Sequence, residues 1–162
     1  MNSAFAIRVA ATTFAAITIA LHLLRREISP LRRGVSNYAV GPYGWLMTLG
    51  FVSLAVGVGL MANEFASWWL WAAAAGMAIV AATPTTHDAR RTPSAYLHQT
   101  GGFIFFTTIA IGALVDRPDL PAARLVGITV GAFLAGFAVP RAALVRGALQ
   151  RLAFVAILIY IY

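Results

Sequence analysis

Long apolar runs alternate with short polar segments along the whole chain. A membrane-spanning helix needs about 20 predominantly apolar residues. The pattern therefore predicts an all-α fold, an integral membrane bundle of six transmembrane helices at residues 4–24, 43–61, 65–83, 96–115, 122–139 and 142–162. The polar segments between these helices are too short to fold separately, so we expect residues 1–162 to form a single domain.

The composition agrees with a protein that lies in lipid. Hydrophobic residues make up 60% of the chain, charged residues make up 10%, and the mean hydropathy is +0.81. A soluble domain carries about 25% charged residues, so 12 basic and 5 acidic side chains cannot cover a water-facing surface. This argues against a soluble enzyme, a disordered chain and a nucleic-acid-binding module, and it makes membrane lipids the expected partners. The absence of cysteine excludes disulfides and thiolate metal sites.

The basic residues, all of them arginine, are unevenly distributed over the five polar segments, which we number as loops one to five. Nine of the twelve lie in or beside loops one, three and five: Arg25, Arg26, Arg32, Arg33, Arg90, Arg91, Arg141, Arg146 and Arg151. Cytoplasmic loops carry an excess of positive charge. The sequence therefore predicts a protein of the inner (plasma) membrane with these three loops in the cytoplasm and both termini on the opposite side.

The three histidines lie on the same arginine-rich side. His22 is near the end of the first predicted helix, His87 precedes Asp88 in loop three, and His98 opens the fourth helix. A carboxylate beside an imidazole can orient it for acid–base catalysis, which makes Asp88 and His98 candidate catalytic residues. Ser36 is a candidate nucleophile with His98 as its base. Alternatively, Asp88 caps a helix and His98 is a buried, hydrogen-bonded imidazole.

The same side chains offer an alternative metal-binding set, made of His22, His87, Asp88 and His98. Their spacing matches neither H-E-x-x-H nor another compact ligand motif. The sequence therefore predicts no metal site, and it specifies no cofactor.

Polar residues on this side also form a candidate ligand-binding set: Arg32, Arg33, Tyr38, Arg90, Arg91, Gln150 and Arg151. Guanidinium groups bind phosphate or carboxylate through paired hydrogen bonds. Arg151 is the strongest candidate because it lies beside Gln150 where the last apolar run begins. The alternative is that these arginines only attract the anionic cytoplasmic leaflet, which is worth about 1 kcal/mol each.

Small residues recur every four positions in the fifth predicted helix, at Gly127, Gly131 and Ala135. Small residues at this spacing allow helices to pack closely in lipid. This face is the expected contact surface if the protein forms a homo-oligomer.

Several short motifs occur in a fixed order along the chain: His22, then RRGVSNY at 32–38, GPYGW at 41–45, His87-Asp88, LHQTGG at 97–102 and GALQRL at 147–152. Together they resemble the six-span membrane proteins catalogued as domain of unknown function 998. The resemblance covers nearly the whole chain and implies a six-helix bundle that includes the last helix. It marks Ser36, Tyr38, Asp88, His98, Gln150 and Arg151 as positions of the family's polar motifs, and it implies no activity.

Two functions follow from these observations. The first is binding of an amphipathic or anionic small molecule, or of a lipid headgroup, in a polar pocket on the cytoplasmic rim. The alternative is a membrane-embedded lipid hydrolase or transferase that uses Asp88 and His98. A carrier needs ionisable groups near the bilayer midplane, and the predicted helices contain almost none.

Overall fold

A computed structural model describes residues 2–83 and 92–162 of the chain. These residues form six α-helices: α1 (Ser3–Leu24), α2 (Gly44–Glu64), α3 (Trp68–Ala82), α4 (Pro93–Asp116), α5 (Pro121–Ala135) and α6 (Arg146–Ile161). Two short 3₁₀ helices, η1 (Val35–Ala39) and η2 (Pro140–Leu144), lie in loops one and five. No strand occurs within the two described ranges, so the all-α prediction is confirmed.

Three of the helices, α1, α2 and α4, are long enough and apolar enough to cross a membrane. They contain 22, 21 and 24 residues. The apolar helices α3 and α5 contain 15 residues each, which is about 22 Å at 1.5 Å per residue. These helices are compatible with a membrane protein, and the bundle agrees with the predicted class.

The beginnings of α3 and α4 are set by hydroxyl caps. Ser67 Oγ accepts a hydrogen bond from the backbone N–H of Leu70 at 3.3 Å, so α3 begins at Trp68 and not at residue 65. Thr92 Oγ1 accepts from the N–H of Ala95 at 3.2 Å, and Pro93 occupies the first position of α4. Both caps satisfy backbone donors that a helix leaves free at its first turn.

The segment between α5 and α6 differs most from the predicted boundaries. The fifth helix ends at Ala135, four residues before the predicted end, and α6 begins at Arg146. Pro140 has no backbone N–H to continue an α-helix, and it opens η2 instead. The predicted sixth helix is therefore present, but its first turn is replaced by this 3₁₀ segment.

Close backbone approaches and aromatic contacts hold the helices together. A Cβ added to Gly76 of α3 would lie 2.8 Å from the carbonyl oxygen of Gly101 in α4, so these helices pack backbone to backbone. The Phe154 ring of α6 has its centroid 5.0 Å from that of Phe14 and 5.1 Å from that of Phe106. Through this one side chain, α6 packs against both α1 and α4.

The buried Arg25, which follows α1, holds the last residues of loop one in place before α2 begins. Its Nη1 atom donates to the carbonyl oxygens of Val40 at 2.9 Å and Pro42 at 2.8 Å, and its Nε atom pairs with Glu27. This hydrogen bond from Arg25 lowers the pKa of the Glu27 carboxyl from its ordinary value. Gly41, which lies between the two acceptor residues, adopts a φ of 81° that favours glycine.

The small-residue face of α5 is divided between two environments. A Cβ on Gly127 would approach Leu114 of α4 to 2.9 Å, whereas no described residue lies within 4 Å of a Cβ on Gly131. Gly131 and Ala135 are both exposed. Gly127 therefore contributes to packing within the chain, and the oligomer contact through all three positions stays a prediction.

Candidate functional site

A cleft of about 660 Å³ opens at the end of the bundle where α3 ends and α4 and α6 begin. Its volume falls within the usual range for ligand pockets, about 300–1,000 Å³. The cleft is lined by Ser36, Phe51, Met77, Val80, His98, Gln99, Thr100, Gly102, Phe103, Phe106, Phe133, Leu134, Phe137, Arg146, Gln150 and Phe154. The cleft is therefore surrounded by residues of η1 and of five helices, α2 to α6, or of the segments directly beside them.

The lining changes from polar to apolar with depth. On α4 the lining begins with His98 and Gln99 in the second turn and ends with Phe106, which lies about 10 Å beyond Gln99 along the helix axis. On α6 it runs from Arg146 to Phe154, about 12 Å at helical rise. Six of the ten phenylalanines of the chain belong to this lining. The cleft thus has a polar end at the rim and an aromatic interior.

Arg146, the first residue of α6, lines the cleft and is the one charged residue among the described residues that do so. Its Nη2 atom donates to the carbonyl oxygen of Gly136 at 3.3 Å, and its guanidinium lies 4.4 Å from the centroid of the Phe137 ring. Its Nε atom is buried and has no hydrogen-bond partner within residues 2–83 and 92–162. In the part of the chain that the structure describes, the one ion pair is Arg25–Glu27, so no carboxylate there neutralises Arg146.

His98 is buried with 8% of its surface exposed, and it lines the cleft from the second turn of α4. Its Nδ1 atom lies 2.6 Å from the carbonyl oxygen of Thr83, at the end of α3. A carbonyl oxygen only accepts hydrogen bonds, so Nδ1 carries a proton, and in the neutral imidazole Nε2 is then the atom with the lone pair. The Phe51 ring packs edge-on against this imidazole.

Ser36 and Gln150 line the same cleft from η1 and α6. Gln150 also has a structural contact, because its Oε1 atom accepts a hydrogen bond from the backbone N–H of Val35 at 2.7 Å. A Cβ on Gly34 would lie 2.8 Å from the same oxygen. Gln150 therefore joins α6 to the residue that precedes Ser36 and so positions η1 at the edge of the cleft.

Arg151 lies outside the cleft lining and binds protein groups of its own helix and of two other segments. Its Nη1 atom donates to the carbonyl oxygens of Pro30 and Arg33, both at 2.7 Å, and of Gly147 at 3.0 Å. Its Nε atom donates to Nε2 of His22 at 2.7 Å. The guanidinium of Arg151 thus ties α6 to α1 and to loop one.

Tyr38 and His22 complete this group of contacts. The Tyr38 side chain is fully buried, its hydroxyl lies 3.3 Å from Nη2 of Arg151, and its ring packs on the His22 ring with centroids 5.0 Å apart. Nδ1 of His22 faces the carbonyl oxygen of Thr18 at 2.6 Å. The three side chains form a hydrogen-bonded and aromatic cluster, which we call the Arg151 cluster.

The remaining candidate residues fall into two groups. Arg32 and Arg33 are exposed in loop one, and the backbone of Arg33 supplies one of the acceptors for Arg151. His87, Asp88, Arg90 and Arg91 lie outside the described residues. The structure therefore brings Ser36, His98 and Gln150 together at the cleft and gathers Tyr38 and Arg151 in the Arg151 cluster.

A family model described as "Protein of unknown function (DUF998)" matches residues 8–162. The chain belongs to this family. No curated protein and no solved structure matches it.

Within residues 2–83 and 92–162 of this DUF998 protein, no three histidine, aspartate or glutamate side chains come close enough to hold a metal ion. His87 and Asp88, two members of the alternative metal set, lie outside these ranges. The other two members are separately engaged, His22 with Arg151 and His98 with Thr83.

The sequence did not single out Arg146 as a residue of the cleft, because its position only indicated membrane topology. It also missed the phenylalanines, because an aromatic residue in an apolar run looks the same whether it packs in a core or lines a cleft. The available signal for Arg146 was its place between two apolar segments, next to Gly147 and four residues before Gln150.

Proposed function

We propose that this protein is a multi-pass membrane protein that binds an amphipathic anionic molecule in the cleft between η1 and helices α2 to α6. The observation that carries the proposal is Arg146, a cation at the rim of an aromatic cleft without a carboxylate partner among the described residues. A buried polar atom without a partner costs free energy, and the buried Nε atom of Arg146 has no partner in the described part of the chain.

The chemistry of the lining supports an occupant with two different ends. Carboxylate and phosphate oxygens accept short, strong hydrogen bonds from a guanidinium, and Gln99 and Gln150 add neutral polar groups near the rim. The phenylalanine side chains deeper in the cleft suit an apolar chain or ring system. An anion attached to an apolar body satisfies both parts.

The test compares the molecules that copurify with three forms of the protein: the wild type, Arg146→Gln and Arg141→Gln. Arg141 is exposed in η2, five residues before Arg146, and it does not line the cleft. We expect mass spectrometry to find an anionic amphiphile with the wild type and Arg141→Gln and to find it depleted in Arg146→Gln. Identical profiles for all three proteins would contradict the proposal.

A second candidate function, lipid hydrolysis or transfer, is favoured by one observation. Ser36 and His98 line the same cleft, and the contact of His98 with Thr83 leaves Nε2 as a potential base. Asp88, the proposed orienting carboxylate, lies outside the described residues.

This candidate is tested by turnover of a lysophospholipid in mixed micelles, measured as the release of free fatty acid. The comparison includes the wild type, Ser36→Ala and His98→Gln, with folding checked by thermal unfolding. We expect both variants to lose turnover while keeping the fold. Absence of turnover in the wild type, or retained turnover in His98→Gln, would rule out the catalytic assignment of His98.

We further propose that the protein lies in the plasma membrane with the cleft rim on the cytoplasmic side. Because the natural chain has no cysteine, single cysteines at Arg32 and Asp119 can report the two sides. In intact cells, a membrane-impermeant maleimide is expected to label Asp119→Cys and to spare Arg32→Cys until the cells are opened. The reverse labelling would invert the topology.

A further inference from the structure

The mouth of the cleft is bordered by apolar side chains that point away from the protein. Phe103 of α4 is 61% exposed, and Phe137, just after α5, is 58% exposed, although both also line the cleft. Large exposed aromatic groups beside an opening are unfavourable in water, whereas lipid solvates them. This side of the cleft therefore suits contact with hydrocarbon.

Arg146 lies at the polar rim of the cleft, beside this mouth. Its guanidinium packs 4.4 Å from the centroid of the exposed Phe137 ring. The positive charge therefore lies on the exposed side of the cleft. Arginine side chains at helix ends place their charge at the membrane interface. The cation is therefore near the level at which lipid headgroups lie, and the aromatic lining begins immediately beside it.

The depth of the cleft limits how much of a lipid it can hold. The lining extends about 10–12 Å along α4 and α6, whereas the hydrocarbon core of a bilayer is about 30 Å thick. A long acyl chain with its headgroup at Arg146 cannot be enclosed completely. The half-open side between Phe103 and Phe137 gives the rest of the chain a path into the surrounding lipid.

From these contacts we infer that the occupant is a membrane lipid with an oxyanion headgroup, which reaches the cleft sideways between α4 and α5 and keeps part of its tail in the bilayer. This inference rests on the proposed function, because it assigns the source and the orientation of the same ligand. The headgroup carries a phosphate or a carboxylate, and both accept charge-assisted hydrogen bonds from a guanidinium.

We expect the cleft to select lipids by their headgroup and not by their acyl chain. Moving an acyl chain from lipid to an apolar cleft gains little, because lipid tails are as apolar as the side chains that replace them. The charge-assisted hydrogen bond to Arg146 has no equivalent in the hydrocarbon region. We therefore expect affinity to depend strongly on headgroup charge and only weakly on the length of the tail beyond the cleft.

The first experiment measures binding of hexadecyl phosphate and palmitate to the purified protein in a nonionic detergent, by native mass spectrometry. Hexadecanol serves as the uncharged control with the same chain, and inorganic phosphate serves as the anion without a chain. We expect at least one of the two charged amphiphiles to bind, and to bind about tenfold or more weakly to Arg146→Gln than to Arg141→Gln. Binding of neither amphiphile to the wild type would overturn both this inference and the proposed function.

Binding of inorganic phosphate as tight as that of hexadecyl phosphate would overturn only the lipid source, since the anion site would remain. Hexadecanol binding as tightly as the charged amphiphiles would overturn the role of the headgroup.

A second experiment fills the cleft without removing the charge. Among the described residues, a Cβ on Gly102 would meet only Val80, at 3.9 Å, so a side chain can be introduced there without strain in these residues. We expect Gly102→Leu to weaken binding of the charged amphiphile by about tenfold or more, whereas Ile128→Leu, at an exposed α5 position outside the cleft lining, leaves it unchanged within about threefold. Equal binding by both variants would mean that the acyl chain lies elsewhere.

The sideways route is tested by a fluorophore attached to Phe103→Cys in vesicles of a zwitterionic phospholipid. We expect lipids with a nitroxide on the acyl chain to quench the fluorophore and aqueous iodide to leave it bright. Quenching by iodide alone would place the mouth in water and overturn the lateral route, while the binding results above would still decide the proposed function.

Discussion

The Nε atom of Arg151 donates a hydrogen bond to Nε2 of His22 over 2.7 Å, and this contact joins the last helix to the first. His22 can accept because its other ring nitrogen faces the carbonyl oxygen of Thr18 and carries the proton. The planar guanidinium also reaches two carbonyl oxygens of loop one. One side chain thereby fixes the relative positions of α1, loop one and α6.

Replacement of Arg151 by lysine is expected to destabilise the protein although the positive charge is kept. An ammonium group cannot reproduce the fork that reaches His22, Pro30 and Arg33 together. We expect Arg151→Lys to lower the free energy of unfolding by about 1–3 kcal/mol, measured by denaturant titration in detergent. The matched change Arg32→Lys, in exposed loop one, should stay within about 0.5 kcal/mol of the wild type. Equal effects of the two variants would contradict the structural role of Arg151.

The energetic link between His22 and Arg151 is measured by a double-mutant cycle with His22→Leu and Arg151→Lys. Residues that share a hydrogen bond show coupling energies of about 0.5–3 kcal/mol, so the double variant should be less destabilised than the sum of the single variants. Strict additivity would show that the contact contributes nothing to stability.

Gly147 is expected to tolerate no side chain. A Cβ there would lie 2.5 Å from the carbonyl oxygen of Arg33 and 2.6 Å from that of Pro30, and both are backbone atoms that cannot rotate away. We expect Gly147→Ala to destabilise the fold by about 1–3 kcal/mol through overpacking. Gly131→Ala is the control, because a Cβ there has no neighbour within 4 Å in the described part of the chain and alanine favours a helix by about 1 kcal/mol. A neutral Gly147→Ala variant would mean that loop one is not packed against α6.

Acidification is expected to weaken the contact between Glu27 and Arg25. A carboxyl whose pKa is lower in the folded than in the unfolded chain stabilises the fold above its unfolded pKa, and this stabilisation is lost as the pH falls through its folded pKa. The pKa of Glu27 is lowered in this sense. The thermal stability of the wild type should therefore fall more steeply with decreasing pH than that of Glu27→Gln. The difference should be small, because the Glu27 side chain is 61% exposed, and parallel curves would contradict it.

The predicted homo-oligomer is tested at the exposed position of the α5 face. If the contact surface includes Gly131, a leucine there should prevent close helix approach, so Gly131→Leu should reduce the oligomer fraction measured by light scattering in detergent. Ile128→Leu changes an exposed residue one turn earlier without blocking close packing. An unchanged oligomeric state in Gly131→Leu would argue against this interface.

The sequence by itself determined the class of the protein and the approximate positions of its helices. Apolar runs of about twenty residues specify helices because backbone groups in lipid must bond internally. The same pattern could not place the end of α5 or the beginning of α6, since Val139 and Ala142 are as apolar as the residues of a helix. Pro140 and the 3₁₀ segment that it opens set these boundaries.

The tertiary structure decided which polar residues act together. Both Arg146 and Arg151 lie near the beginning of the last apolar run, and the sequence favoured Arg151 as the ligand-binding residue. Five positions on a helix correspond to a rotation of about 140°, so the two side chains face different neighbours. Arg151 faces the carbonyl oxygens of loop one, whereas Arg146 faces the aromatic cleft. The position of a side chain around the helix axis decides its contacts only when the neighbouring helices are in place. These contacts are therefore set by the assembled bundle.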